Sequence, residues 1–210
     1  MKKLMLLTSM LVFGLAISNA QEIKFGAKAG VNFASLGGDL KDVDGRTSFH
    51  IGAVAEIVIS QQFSFQPELV YSSQGFKVNG TDYTIGVAID VEQTLKLEYI
   101  NLPLMAKFYV AEQFAIEAGP QIGFLVAAKS KIESTSNGTS ESNTEDVKDF
   151  YKGIDFGLGA GVSYKLENGL FFGARYNLGL SNISENGNAE IADDFETQNN
   201  VIQVSVGYFF

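Results

Sequence analysis

The sequence predicts an all-β fold, an eight-stranded antiparallel up-and-down transmembrane β-barrel. Three observations predict it. Eight segments alternate apolar residues with polar residues or glycine at a period of two. The connections between them alternate between short and long. The chain closes on an alternating strand, Val206-Gly207-Tyr208-Phe209-Phe210, with an aromatic as its last residue. Composition agrees, with 22 glycines, 17 phenylalanines and 8 tyrosines but neither tryptophan nor cysteine. Glycines and aromatics on alternating strands suit a barrel. Without cysteine, an exported chain must draw its stability from something other than disulfides.

The elements follow in order. Met1-Lys2-Lys3 is basic, Leu4 to Ile17 is apolar, and Ser18-Asn19-Ala20 are small residues ahead of Gln21. This reads as a secretory signal peptide over 1–20, leaving 21–210 as one barrel domain. The apolar run is shorter than the roughly 20 residues of a spanning helix.

The first strand sets Ile23, Phe25, Ala27, Ala29, Val31 and Phe33 against Lys24, Gly26, Lys28, Gly30 and Asn32. The second sets Phe49, Ile51, Ala53, Ala55, Ile57 and Ile59 against His50, Gly52, Glu56 and Ser60. The third sets Phe63, Phe65, Pro67, Leu69 and Tyr71 against Ser64, Gln66, Glu68 and Ser72. In the fourth, Ile100, Leu102, Leu104, Ala106 and Phe108 oppose Asn101, Pro103 and Lys107, but upstream Leu95, Leu97 and Tyr99 are apolar in the opposite phase. A one-residue slip flips every side chain, so a bulge or a membrane boundary is expected near Tyr99-Ile100.

The fifth sets Phe114, Ile116, Ala118, Ile122, Phe124 and Val126 against Glu117, Gly119, Gln121 and Gly123. The sixth sets Ile154, Phe156, Leu158, Ala160, Val162 and Tyr164 against Asp155, Gly157, Gly159, Gly161 and Lys165. The seventh sets Leu170, Phe172, Ala174, Tyr176 and Leu178 against Gly173, Arg175, Asn177 and Gly179. The eighth sets Ile202, Val204, Val206, Tyr208 and Phe210 against Gln203, Ser205 and Gly207. It must pair with the first strand to close the cylinder.

Short turns are expected at Gln61-Gln62, Ala111–Gln113 and Glu167–Gly169, and long polar loops near Gly37–Arg46, Gly75–Gln93, Lys131–Asp149 and Asn182–Gln198. Short turns on one rim and long loops on the other mark a bacterial outer-membrane barrel, which puts both ends of the mature chain in the periplasm. Closure satisfies the backbone without an open edge, as lipid demands. Phe63, Phe108, Phe114, Tyr164, Phe172, Tyr208 and Phe210 form a candidate aromatic girdle at the short-turn rim, with Phe49 and Tyr71 toward the other. Val206, Tyr208 and Phe210 form the candidate assembly signal, read by the barrel-assembly machinery. The three prolines, Pro67, Pro103 and Pro120, all fall inside strands, where each removes a ladder donor. Strands three to five are therefore expected to be irregular. A soluble exported barrel of lipocalin type would face its polar set outward, and here that set is too rich in glycine and too poor in long charges for a water-facing wall.

These residues resemble a known group. Gln66-Pro67-Glu68-Leu69-Val70-Tyr71 with Gly75, Tyr99-Ile100-Asn101-Leu102-Pro103-Leu104 with Lys107-Phe108-Tyr109, Ala118-Gly119-Pro120 with Gly123, and the terminal Gly207-Tyr208-Phe209-Phe210 are similar to the outer-membrane β-barrel domain family of PorT type. The resemblance spans nearly the whole mature chain and accommodates the three prolines. It implies an OmpX-like eight-stranded barrel in the outer membrane of a Gram-negative cell. One branch of that family serves protein secretion and gliding, and the family offers no catalytic motif.

The inward set supplies a candidate polar network in the lumen, Lys28, Glu56, Glu68, Lys107, Glu117, Asp155 and Arg175. An eight-stranded barrel is just wide enough for side chains to fill. These charges read as a plug of paired ions, with a narrow polar channel as the alternative. His50 is the only histidine. It is expected at the loop-side rim, facing in near Ser48 or Ser35, in no distinctive catalytic spacing. Asp39, Asp42, Asp44 and Gly45 fail the calcium-loop pattern, and Glu145-Asp146-Asp149 and Asp193-Asp194-Glu196 are at most weak calcium holders. Gly157-Leu158-Gly159-Ala160-Gly161 opens no helix and is not a dinucleotide motif. Its alternate glycines instead mark wall approached closely by lumen side chains. Ser134 to Thr144 reads as a mobile Ser/Thr/Asn/Gly-rich loop.

No catalytic, metal or cofactor site is expected. The net negative charge of the chain falls on its four long loops, since the strands and short turns balance. The expected role is that of a non-enzymatic monomer set in outer-membrane lipid. It would be structural or would meet a partner protein at the cell surface through its acidic loops. A small channel and an accessory of a secretion machine are the alternatives, and no nucleic-acid partner is expected.

Overall fold

The computed structural model describes residues 22–38, 44–84, 87–136, 139–184 and 197–210. The signal peptide read over 1–20, Asp39 and Asp42 of the first loop, and Asp193-Asp194-Glu196 of the fourth lie outside the described residues. Among the described residues nine strands run β1 (Ile23–Gly38), β2 (Asp44–Val58), β3 (Phe63–Thr84), β4 (Val87–Tyr109), β5 (Phe114–Ser136), β6 (Thr139–Asp146), β7 (Ile154–Lys165), β8 (Leu170–Gly179) and β9 (Thr197–Phe209). Eight of them close an antiparallel ring, β1-β2-β3-β4-β5-β7-β8-β9, and β6 branches from β5 above it.

The closing seam is the one the chain's end predicts. β9 pairs with β1 from Gly26↔Phe209 to Gly38↔Thr197, and the Phe210 N–H donates to the Phe25 carbonyl at 2.8 Å. Short turns join β2 to β3, β4 to β5 and β7 to β8 at the expected positions. The last of them needs Gly169, whose φ of +92° is strained for any other residue.

The alternation sorts as expected. Phe25, Phe49, Ile51, Leu69, Ile116, Phe156, Phe172 and Ile202 are all exposed on the outer wall, while Lys28, His50, Glu56, Glu68, Lys107, Glu117 and Arg175 are buried inside. A contiguous apolar coat around a polar interior is the inverse of a water-soluble barrel, and it rules out the lipocalin arrangement. All seven girdle aromatics are exposed near the short-turn rim. Phe49 and Tyr71 meet across β2 and β3 with ring centroids 6.0 Å apart.

The structure corrects the strand reading in three places. The second and third "loops" are largely strand: β3 runs to Thr84, β4 starts at Val87, β5 runs to Ser136, and β6 occupies Thr139–Asp146 before a 3-10 turn at Lys148–Phe150. The stretch read as mobile is thus a ladder, from Lys129↔Asp146 to Ser136↔Thr139.

The irregularity near Tyr99 is real but sits on the partner strand. The β4–β5 register shifts between Glu98↔Ala127 and Tyr99↔Leu125, so the extra residue is Val126. β4 keeps one phase throughout, with Leu95, Leu97, Tyr99, Asn101, Met105 and Lys107 all inward. What changes near Tyr99 is the interior, from polar below to apolar above.

The prolines are absorbed without bulges. Pairing lapses opposite Glu68-Leu69 in β3–β4 and opposite Leu104-Met105 in β4–β5, yet the register is the same on both sides of each gap. The missing donors leave short openings in the ladder, and the strands stay in step.

Candidate functional site

The lumen is built in layers. Near the short-turn rim, Val54, Phe171 and Phe209 form a small apolar pad, with the two rings 4.7 Å apart. Phe171 can lie there because Gly207 stands beneath it, where a Cβ would come within 2.2 Å of the ring. Around this pad, Glu56 accepts from Ser64 Oγ (2.9 Å), from Lys165 Nζ (3.0 Å) and from the Tyr109 hydroxyl.

Above lies the charged layer. Glu68 is its hub: Lys28 Nζ lies 2.5 Å from Oε2, and Arg175 donates Nη1 to Oε2 (3.0 Å) and Nη2 to Oε1 (2.8 Å). Arg175 Nε also donates to Glu117 Oε1 at 2.8 Å. Gln66 donates to Glu68 (2.7 Å) and accepts from Lys107 Nζ (3.1 Å), which ties the fifth charge in. The Arg175 stem passes Gly159, where a Cβ would meet Asn177 Oδ1 at 2.8 Å and Arg175 Cδ at 3.3 Å, whereas at Gly161 a Cβ would meet the β8 backbone, 2.9 Å from Arg175 Cα. Of the alternate glycines of β7, Gly159 serves the role expected, wall cleared for lumen side chains, while Gly157 and Gly161 instead clear the backbone of β8.

Six of the seven expected lumen charges therefore gather in the lower lumen. Asp155 does not join them. It sits higher, half-buried, and accepts from Ser181 Oγ at 2.6 Å. The sequence reading missed Gln66, Tyr109 and Lys165 as members, although all three share the inward parity of their strands.

His50 is not at the rim and meets neither Ser48 nor Ser35. It is buried in mid-lumen with Nδ1 2.7 Å from Asn32 Oδ1 and Nε2 2.9 Å from Ser205 Oγ. Asn32 Nδ2 donates to the Ser73 carbonyl (2.7 Å) and the Phe49 carbonyl (3.1 Å), which turns its oxygen toward His50. His50 Nδ1 then carries the proton and Nε2 accepts from the serine hydroxyl. This Ser–His–Asn line staples β1, β2 and β9 across the closing seam. The space left among Glu68, Lys107, Glu117, Arg175 and Ser205 is about 10 Å³, the limit for one water and far below any acyl substrate.

Above the Ser–His–Asn line an apolar cap of Leu36, Leu95, Leu97, Tyr99, Leu125, Ala128 and Ile183 closes the other end, with Phe76, Val147 and Tyr151 packed on it. Beyond the cap rises a blade of four strands in the order β3-β4-β5-β6. Strands β3, β4 and β5 are 22, 23 and 23 residues long, about twice the 9–11 that cross a bilayer. Lys77–Glu92 (2.6 Å) and Lys131–Glu133 (2.7 Å) brace its faces. The hydrogen bond from Lys77 holds the Glu92 carboxyl below the usual carboxylate range. Asn79, Asp90, Glu92, Glu133 and Ser140 line an open cleft of about 690 Å³ between the hairpins. Among the described residues no three of His, Cys, Asp or Glu gather as metal ligands, and Glu145, Asp146 and Asp149 do not do so.

The model of the outer membrane protein beta-barrel domain matches residues 19–185. The chain belongs to that family. As an outer-membrane β-barrel protein it crosses the outer membrane with its strands, and no helix among the described residues is long and apolar enough to do so. Similar solved structures include Ail, the attachment invasion locus protein of Yersinia pestis (15% identity, TM-score 0.48, 90% of this chain and 99% of that one). Neisserial surface protein A matches at 13% identity and a TM-score of 0.48, over 89% and 97% of the two chains. CarO of Acinetobacter baumannii matches at 13% and 0.42, over 88% and 97%. No curated protein matches.

Proposed function

We propose that this barrel is a non-enzymatic cell-surface protein that meets a protein partner through its strand blade, with both ends of the mature chain in the periplasm. The observation that carries this reading is the contrast between the two ends of the ring. The lumen is packed from the Phe171–Phe209 pad to the apolar cap, while β3, β4, β5 and β6 continue past the cap as an ordered sheet. Among the described residues β6 pairs only with β5, so its outer edge offers backbone groups to an extended segment of another chain. Glu141, Glu145 and Asp146 along that edge favour a basic one. Within the family we place the chain with the PorT type, on Gln66–Tyr71, Tyr99–Leu104 and the terminal Gly207–Phe210.

Two measurements test this. In planar bilayers the purified barrel is expected to give no steady conductance, and stable open channels would favour the pore alternative. Replacing 78–93 and 131–146 by short turns is expected to leave heat-modifiable gel mobility intact while abolishing retention of a basic extended peptide on whole cells. Equal retention by the shortened barrel would end the blade reading.

A further inference from the structure

We propose that the basic extended segment taken up by β6 seats an aromatic side chain in an apolar pocket at the foot of the blade, in the pattern aromatic-x-cation-x-x-x-cation. The inference rests on the β6-edge reading above and names the chemistry of the partner.

Residues directly paired across antiparallel strands share a face, and the ladders sort the blade into two unlike ones. On one face Phe76 pairs with Leu95, Leu95 with Ser130, and Ser130 with Glu145. The next rung of that face is Val78, Gln93, Ile132 and Asn143, and the rung above runs through Val91 and Ser134 to Glu141. Leu95 is buried in the cap, so this face looks over the barrel mouth. The blade's lysines, Lys77, Lys96, Lys129 and Lys131, all stand on the opposite face. The face over the mouth therefore combines an apolar floor with the carboxylates of Glu141 and Glu145 along its β6 margin. Glu145 accepts from a neutral group, Asn143 Nδ2, at 3.1 Å. Lys148, just past β6, turns its ammonium to the Val126 carbonyl on the outer wall (3.1 Å).

At the foot of this face Phe76, Leu95, Val147, Phe150 and Tyr151 line an open pocket of about 160 Å³. Gln93 Nε2 and Ser130 Oγ, on the same wall, bond each other at 3.0 Å. The pocket is smaller than the roughly 300–1,000 Å³ of a small-molecule site, and its size suits a single side chain. Three of its lining groups are rings, so an aromatic occupant gains ring–ring contact beyond the area it buries. Phe150 is 65% exposed and leaves a ring at the mouth for such a contact.

The spacing follows from the ladder. The Val147 N–H donates to the Ala128 carbonyl at 3.0 Å, so Val147 continues the β5–β6 register and shares the face of Glu145 and Glu141. A segment laid along the outer edge of β6 turns every second side chain to this face. An aromatic side chain level with Val147 reaches the pocket across the margin. Two and six positions further along, the segment meets Glu145 and Glu141, where lysine or arginine is complementary.

Two synthetic peptides test this on the purified barrel. One carries a phenylalanine followed two and six positions later by lysines, in a threonine background. The other has alanine for the phenylalanine. The first is expected to bind roughly tenfold more tightly, as a ring anchored in a pocket does. Phe150→Ala, checked for folding by heat-modifiable mobility, is expected to remove most of that preference and to leave binding of the alanine peptide unchanged. Glu145→Gln is expected to weaken both peptides roughly threefold. Glu133→Gln, on the lysine face, is expected to weaken neither. If both peptides bind equally, the pocket falls and the blade reading stands. If neither binds, the blade reading fails and this inference fails with it. Full preference retained by Phe150→Ala overturns the pocket and assigns that ring to the membrane interface. Equal weakening by Glu133→Gln and Glu145→Gln overturns the choice of face.

Discussion

Glu68→Ala is expected to destabilise the barrel by about 3–5 kcal/mol, the cost of breaking a buried ion pair and leaving its partners unmatched. Glu68 answers two buried cations at once, Lys28 and the forked guanidinium of Arg175, and accepts from Gln66 as well. Its removal leaves three cations, Lys28, Lys107 and Arg175, in a layer where Glu117 is the one remaining carboxylate. Glu117→Gln is expected to cost less, because Arg175 keeps its two bonds to Glu68. Asp155→Asn should cost least, since Asp155 stands apart from the network and bonds a serine. Urea unfolding in phosphatidylcholine vesicles, followed by gel mobility because the chain has no tryptophan, gives the order. A Glu68→Ala loss no larger than that of Asp155→Asn would remove Glu68 from the centre of the lumen.

Parity made most of the membrane-spanning ring legible. Once one residue of a strand is known to face lipid, every second residue follows, and Phe25, Ile51, Ile116 and Ile202 all fall where the alternation puts them. Six lumen charges followed from the same parity. Parity failed where the two faces of a strand no longer differ in polarity. Thr139–Asp146 is polar on both faces, has no apolar stripe to mark it, and is a strand only because Lys129–Ser136 pairs with it. The apolar cap failed for the opposite reason. Leu95, Leu97 and Tyr99 suggested a slipped strand, when β4 was in step and the interior had turned apolar. The alternation that starts at Phe49 puts His50 at a strand end, but β2 begins at Asp44, five residues earlier than its apolar pattern, so His50 lies in mid-strand. Phe171 and Phe209 carried a readable signal: both are aromatics in the inward phase, and an inward aromatic in a narrow barrel is a plug.

Phe209 and Phe210 are neighbours on opposite faces of β9, and that opposition separates stability from assembly. Phe209→Ala is expected to lower equilibrium stability by about 3–5 kcal/mol, as for a buried aromatic truncated in a packed site. Phe209 is 5% exposed, stacks on Phe171 and touches Val54. Deleting Phe210 should do the reverse. Its ring is 84% exposed, leans on Tyr208 at 6.0 Å, and contributes one seam hydrogen bond to Phe25. Once folded, the barrel without it should lose only about 1 kcal/mol, the worth of one such bond. If Phe210 is the residue that barrel-assembly machinery grips, the deletion should instead cut the amount of heat-modifiable protein reaching the outer membrane several-fold. In-cell assembly yield and vesicle unfolding, measured on both variants, should therefore move in opposite order. Parallel losses would mean that the final residue acts only through the seam.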